Sequence, residues 1–123
     1  LRSITPVIQL KRTYSSFDKT DGYRVLIDAL WPRGISKEEL HADQWLKTVA
    51  PSTELRKWFN HEPAKWQSFQ RKYAAELSIN ESVQALIDIV RLHPVTTFLY
   101  SAHDEKHNNA IVLKEYIITK LEA

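Results

Sequence analysis

The chain has no cysteine, and that absence excludes a disulfide framework, a zinc–thiolate site and a thiolate nucleophile together. Methionine is missing as well, even at position 1, so we expect that the initiator has been lost. Only two glycines occur, Gly22 and Gly34, and no repeat, low-complexity tract or Gly/Ser linker interrupts the 123 residues, so a single domain over 1–123 is expected. No apolar run approaches the ~20 residues of a spanning helix. Leu1 to Leu10 also lacks the basic, apolar and small-residue order of a secretory signal. These features predict a cytoplasmic protein with no membrane partner. Charge of one sign is scarce too: the formal net charge is +2, and the basic residues come as scattered pairs, Lys11 with Arg12, Arg56 with Lys57, Arg71 with Lys72. Nucleic acid is therefore not the favoured partner, because it calls for a concentrated basic footprint.

What is present describes a globular α/β chain. Hydrophobic residues make up 43% and charged residues 26%, ordinary values for a folded domain. At this length roughly two thirds of the unfolded surface is buried, enough for a core without staples. Val7 to Arg12 alternates weakly, while Val25-Leu26-Ile27 and Thr97-Phe98-Leu99-Tyr100 are short continuous apolar runs, which read as central parallel strands covered on both faces. Asp21-Gly22 is a turn signal that leaves open whether the first two strands form a long-looped hairpin or a crossover.

Ser36 with Glu39 makes a capping box, with Ile35 placed to staple onto Leu40, and predicts a helix reaching Val49 and stopped by Pro51. Ser52 caps a short helix through Phe59. Pro63 opens another, whose Trp66, Phe69, Tyr73 and Leu77 recur at helical spacing as a core stripe. Ser78 with Glu81 predicts a second capping box before Val83, Leu86, Ile87 and Val90, closed by His93-Pro94. A last helix carries Leu113, Tyr116, Ile117 and Leu121 on one face. This order of elements implies a three-layer α/β domain, a small, mostly parallel sheet flanked by helices.

In such sheets ligands bind beyond the carboxyl ends of the strands, where loops diverge and helix N-termini expose free N–H groups. Two loops qualify. The first, Asp28 to Gly34, combines a strand-end carboxylate with Trp31, Pro32, Arg33 and Gly34; the second runs from Ser101 to Asn109. Side by side, Arg33 and the N–H groups near Asn108 and Asn109 would hold a phosphate or carboxylate. The structural alternative has Arg33 bracing its loop through Asp28, with Asp104 or Asn108 merely capping the final helix. Asp28, Tyr100, Asp104 and His107 are the candidate acid/base residues. His103, Asp104 and His107 are spaced like metal ligands, but short His/Asp clusters at helix starts are commoner as caps, and no metal is expected. In the dense stretch Ala50 to Pro63, Trp58 and Phe59 read as core, while Arg56 and His61 are placed to reach over the strand ends.

At these residues the chain resembles the YeaO-like branch of the family of unknown function numbered 488. The matching blocks are Gly22 to Asp28 running into Leu30-Trp31-Pro32-Arg33-Gly34, the Ala50 to Pro63 stretch, and Tyr100 through Asn109. The resemblance implies an α/β fold and a set of positions, not a reaction. Two departures bear on charge. Ala29 stands where the family pattern usually has arginine, and His103 where it usually has lysine or arginine. Other branches of the wider family carry cysteine where Tyr100 and His107 fall, so a thiolate mechanism is excluded here.

Together these readings lead to a small enzyme, or the relic of one, that binds an anionic molecule such as a nucleotide or sugar phosphate at the mouth of the sheet. Arg33 would be the anion clamp and Asp104 or His107 the acid/base. The alternative is a non-catalytic binding or regulatory module that contacts protein or nucleic acid. Cofactor and oligomeric state are not specified by these residues.

Overall fold

The two continuous apolar runs build the centre of the sheet. In the computed structural model, which describes residues 5–123, they form β2 (Tyr23–Leu26) and β4 (Val95–Tyr100), flanked by β1 (Val7–Arg12) and the two-residue β3 (Gln44–Trp45). Residues 1–4, within the Leu1 to Leu10 stretch that lacks a secretory pattern, lie outside the described residues. All pairings are parallel and the strand order is β1-β4-β2-β3. Because β4 separates β1 from β2, the first two strands are joined by a crossover and not by a hairpin. Gly22 starts β2 where the chain passes close to β4: its φ is +66°, and a Cβ there would lie 2.2 Å from the Val95 carbonyl oxygen.

Strand alternation divides the interior in two. Val25 pairs with Phe98 and Leu26 with Leu99, so each pair faces one side of the sheet. The Val25, Ile27, Phe98 and Tyr100 side is the main core, packed against α2 (Thr53–Phe59), α3 (Trp66–Ser78), α4 (Ser82–Leu92) and α5 (Asn109–Glu122). The opposite side has a small cluster, Leu26, Leu99 and Leu40, the last from the four-residue α1 (Lys37–Leu40). Phe69, Tyr73 and Leu77 are buried at the predicted helical spacing, and the Tyr73 hydroxyl donates to the Val49 carbonyl at 2.5 Å.

Three local expectations need correction. The Ser36–Glu39 capping box is present, but its helix ends at Leu40 instead of Val49. His41 turns left-handed at φ +53°, and Asp43 then ties the chain to β2, its carboxylate accepting from Arg24 N at 2.8 Å and its N–H donating to Arg24 O at 2.7 Å. That tie creates β3, which the sequence did not announce. The second capping box does not form: Ser78 closes α3 by donating to Ala75 O, and Asn80 takes the capping role by accepting from Ser82 N at 2.8 Å. Trp58, read as core, is 38% exposed, with the Lys65 and Lys72 ammonium groups about 5 Å from its ring centre. Among the described residues no helix is long and apolar enough to cross a membrane.

Candidate ligand cleft at the strand ends

Beyond the carboxyl ends of β2 and β4 lies a cleft of about 610 Å³, within the usual size of small-molecule sites. The loop after β2, the loop after β4, and α2 with the residues that follow it form its walls. Of the eleven candidate residues, nine line it: Asp28, Trp31, Arg33, Arg56, His61, Asp104, His107, Asn108 and Asn109. The other two do not. Tyr100 shares the Phe98 face and packs in the main core, where burial pushes its phenol up. Gly34 contributes only its backbone, at φ +80° with nothing within 4 Å of where a Cβ would be.

Asp28 joins the two loops. One carboxylate oxygen accepts from Ser101 N at 2.9 Å and the other from the Asn109 side chain at 3.0 Å, pinning the end of β2 to the start of α5. Burial raises its pKa; the hydrogen bonds from Asn109 and Ser101 and the charge of Arg56 oppose the rise without cancelling it. Asp28 is therefore not the brace for Arg33. Among the described residues the Arg33 guanidinium has neither an ion pair nor a hydrogen bond, and only the Arg33 carbonyl is engaged, by the Tyr14 hydroxyl at 3.0 Å.

The loop after β4 is a compact, internally bonded turn. Asp104 Oδ1 accepts from the N–H groups of Lys106 at 2.8 Å and His107 at 3.1 Å, while Oδ2 lies 2.8 Å from His107 Nδ1. The bond to His107, first, and the backbone bond from Lys106 hold the Asp104 carboxyl below its ordinary pKa. With Nδ1 committed to Asp104, His107 keeps Nε2 for a ligand, and its ring meets Trp66 edge-on at 5.4 Å. Asn108 caps α5, accepting from Ile111 N at 3.2 Å. The capping alternative thus describes Asn108, whereas Asp104 caps no helix and instead ties the N–H groups of the preceding bend and orients an imidazole. Outside the cleft, Arg12 steadies the 101–102 backbone through its bonds to the carbonyls of Ala102 at 2.8 Å and Ser101 at 3.2 Å.

Arg56 donates to Pro51 O at 3.3 Å and to Thr53 Oγ1 at 3.0 Å, which leaves Nη1 unengaged among the described residues. His61 follows Asn60, and both are left-handed, at φ +54° and +47°, a turn that brings the imidazole to the cleft rim. Tyr14, Leu30, Phe59 and Phe69 also line the cleft, although none was a candidate ligand residue, and so does His103, which was weighed only for its metal-like spacing and its place at a usually basic family position. Phe59 and Phe69 could be read only as core, and Tyr14 comes from the β1–β2 connection, which carried no signal. No group of three or more His, Asp and Glu side chains is gathered as a metal ion requires, among the described residues. The cleft can therefore offer guanidinium donors and free imidazole nitrogens beside an apolar lining.

The family model described as "Inactive DUF488-N3 subclade" matches residues 7–123. The protein of Escherichia coli (strain K12) named "Uncharacterized protein YeaO" is 45% identical over 111 residues, covering 89% of this chain and 96% of that protein. Uncharacterised proteins of Mycobacterium bovis and Mycobacterium tuberculosis are 33% identical over 105 residues, covering 85% of this chain and 89% of theirs. No solved structure matches the chain significantly. The match across nearly the whole sequence makes this chain a YeaO-like member of the DUF488 family, in the subclade described as inactive.

Proposed function

We propose that the protein is a non-catalytic receptor, the relic of an enzyme, for a small anionic molecule such as a nucleotide or sugar phosphate held at the carboxyl ends of β2 and β4. The observation that carries this reading is the state of the cleft's charges. Both carboxylates, Asp28 and Asp104, are already hydrogen-bonded within the protein, while the Arg33 guanidinium is unpaired among the described residues and Arg56 keeps a free nitrogen. A guanidinium presented without a partner at the mouth of an apolar cleft is suited to a phosphate or carboxylate.

Two features support binding without turnover. The subclade is described as inactive. The Ser101 hydroxyl lies 2.9 Å from Thr13 Oγ1 and bonds to no imidazole among the described residues, so no hydroxyl–imidazole nucleophile is assembled there.

The test is a thermal-shift and calorimetry panel of inorganic phosphate, nucleoside phosphates and sugar phosphates on the intact protein and on Arg33→Ala. A ligand at a hundred times its Kd adds about 2.7 kcal/mol to stability. The variant should melt with the parent and bind at least about tenfold more weakly, as expected for one charged hydrogen-bonding partner lost. No shift with any anion, or equal affinity in Arg33→Ala, overturns the reading.

A further inference from the structure

This inference rests on the anion-receptor reading and asks what the rest of the ligand must be. The hydrogen-bonding capacity that the cleft has left over is unbalanced. Asp28, Asp104 and Asn108 already accept on every side-chain oxygen, so the one unengaged side-chain amide or carboxylate acceptor lining the cleft, among the described residues, is Asn109 Oδ1. Unspent donors remain on the guanidinium groups of Arg33 and Arg56, while the free ring nitrogens of His61 and His107 donate or accept according to tautomer. A ligand needs acceptors for its O–H groups, and each hydroxyl pressed against apolar walls without one is costly, so the two ribose hydroxyls of a nucleotide are borne more easily than the four of a hexose phosphate. A phosphate needs only donors.

The walls are flat and apolar, and they are fixed in advance. Trp31 Nε1 donates to Ile35 O at 2.6 Å, so the indole has spent its only donor and offers a ligand nothing but its ring. Its orientation is further set by Trp45, which meets it edge-on at 5.5 Å and donates its own Nε1 to Asp28 O at 2.8 Å. Leu30 extends this wall at the rim, 69% exposed. Phe59 and Phe69, stacked at 4.3 Å and largely buried, also line the cleft. Rings locked before binding lose little freedom when a flat body slides against them.

From these observations we infer that the ligand is a phosphate ester carrying a flat aromatic body, of the nucleoside monophosphate class, and not a simple sugar phosphate. The phosphate meets the arginines and imidazoles; the aromatic body lies along the Leu30–Trp31 wall.

AMP and ribose 5-phosphate differ in the base alone, so their affinities, measured by calorimetry on the intact protein, isolate this body. AMP should bind at least tenfold more tightly. Leu30→Ser should shrink that gap while leaving ribose 5-phosphate affinity unchanged, and Trp31→Ala should shrink the ratio of the two affinities. The rim position of Leu30 keeps the test valid if Trp31→Ala fails to fold. Equal affinities, or tighter binding of ribose 5-phosphate, overturn the ligand class and leave the anion reading standing. Binding of neither phosphate overturns both.

Discussion

Two groups of charged side chains sit on this sheet, and they teach different things because their partners differ. On the thinly covered face, Arg24 is 1% exposed and fully engaged: it pairs with Asp21, donates to Leu40 O at 2.7 Å and to His41 O at 3.1 Å, and lies over the Phe17 ring. Asp21 also takes Lys11 at 3.1 Å and the Asp18 N–H at 3.0 Å, and its backbone carbonyl accepts the Thr97 hydroxyl at 2.6 Å. Burial pushes the Asp21 carboxyl up, but these bonds outweigh it and hold the pKa low. At the strand ends, by contrast, Arg33 and Arg56 retain unspent donors beside carboxylates that are occupied elsewhere. The first cluster closes upon itself and stabilises the fold. The second keeps donors that the proposed anion would fill.

The largest expected effect breaks the closed cluster. Arg24→Ala removes a buried guanidinium, leaves two carbonyls without their donor and Asp21 with Lys11 as its remaining cation, a loss of about 3 kcal/mol. Urea unfolding measures it directly. The exposed Arg33→Ala should cost less than about 0.5 kcal/mol in the same assay. If the two variants lose similar stability, the distinction between a structural and an open arginine collapses.

How much of this was legible follows from where the information resides. The central strands, the Ser52 cap and the aromatic stripe of α3 are set by local runs and spacing, and they form as expected. β3 was hidden because Gln44–Trp45 carries no apolar run and exists through backbone bonds to β2. The same tertiary tie stops α1 at Leu40 despite a correct capping signal. In the cleft, the rule that loops after parallel strands carry the ligand site found most of the lining, since Asp28, Arg33, Asp104 and His107 all flank strand ends. Tyr100 failed that rule for a reason already present in the alternation: two residues after Phe98, it must face the main core. Partner identity was the part that no spacing could express, as Asp28 chose Ser101 and Asn109 over the nearby Arg33.

A smaller effect sharpens the comparison inside the cleft. Asp28 and Asp104 should titrate on opposite sides of the ordinary 3.8, Asp28 above it through burial and Asp104 below it through His107 and backbone N–H groups. Carboxyl carbon NMR on the intact protein reads both directly. The stability consequences have opposite signs. With its folded pKa raised, Asp28 contributes stability that is present below the unfolded value and lost as pH rises through the folded one. Asp104, lowered, contributes stability that is present above the unfolded value and lost as pH falls through its folded one. Asp28→Asn should therefore flatten the decline in stability as pH climbs above about 4. An Asp28 that titrates below 3.8 would mean that its hydrogen bonds outweigh its burial.

The smallest effect concerns an unpartnered group that faces no cleft. Thr96 and Thr97 are neighbours on β4, both fully buried and pointing to opposite faces. The Thr97 hydroxyl serves the closed cluster through Asp21, whereas Thr96 Oγ1 has no hydrogen-bond partner among the described residues. An unsatisfied buried hydroxyl is pure cost when no ligand can reach it. Thr96→Val exchanges it for a methyl group of similar shape and should stabilise the protein by about 0.5–1 kcal/mol, raising Tm by a few degrees. Thr97→Val should do the reverse, stranding the Asp21 carbonyl. Unspent polarity would then have a value set by its location, useful at the strand ends and wasteful in the core. A destabilised Thr96→Val would show that its hydroxyl is satisfied in solution, and that an unpaired group in this fold cannot be judged by the protein's own hydrogen bonds alone.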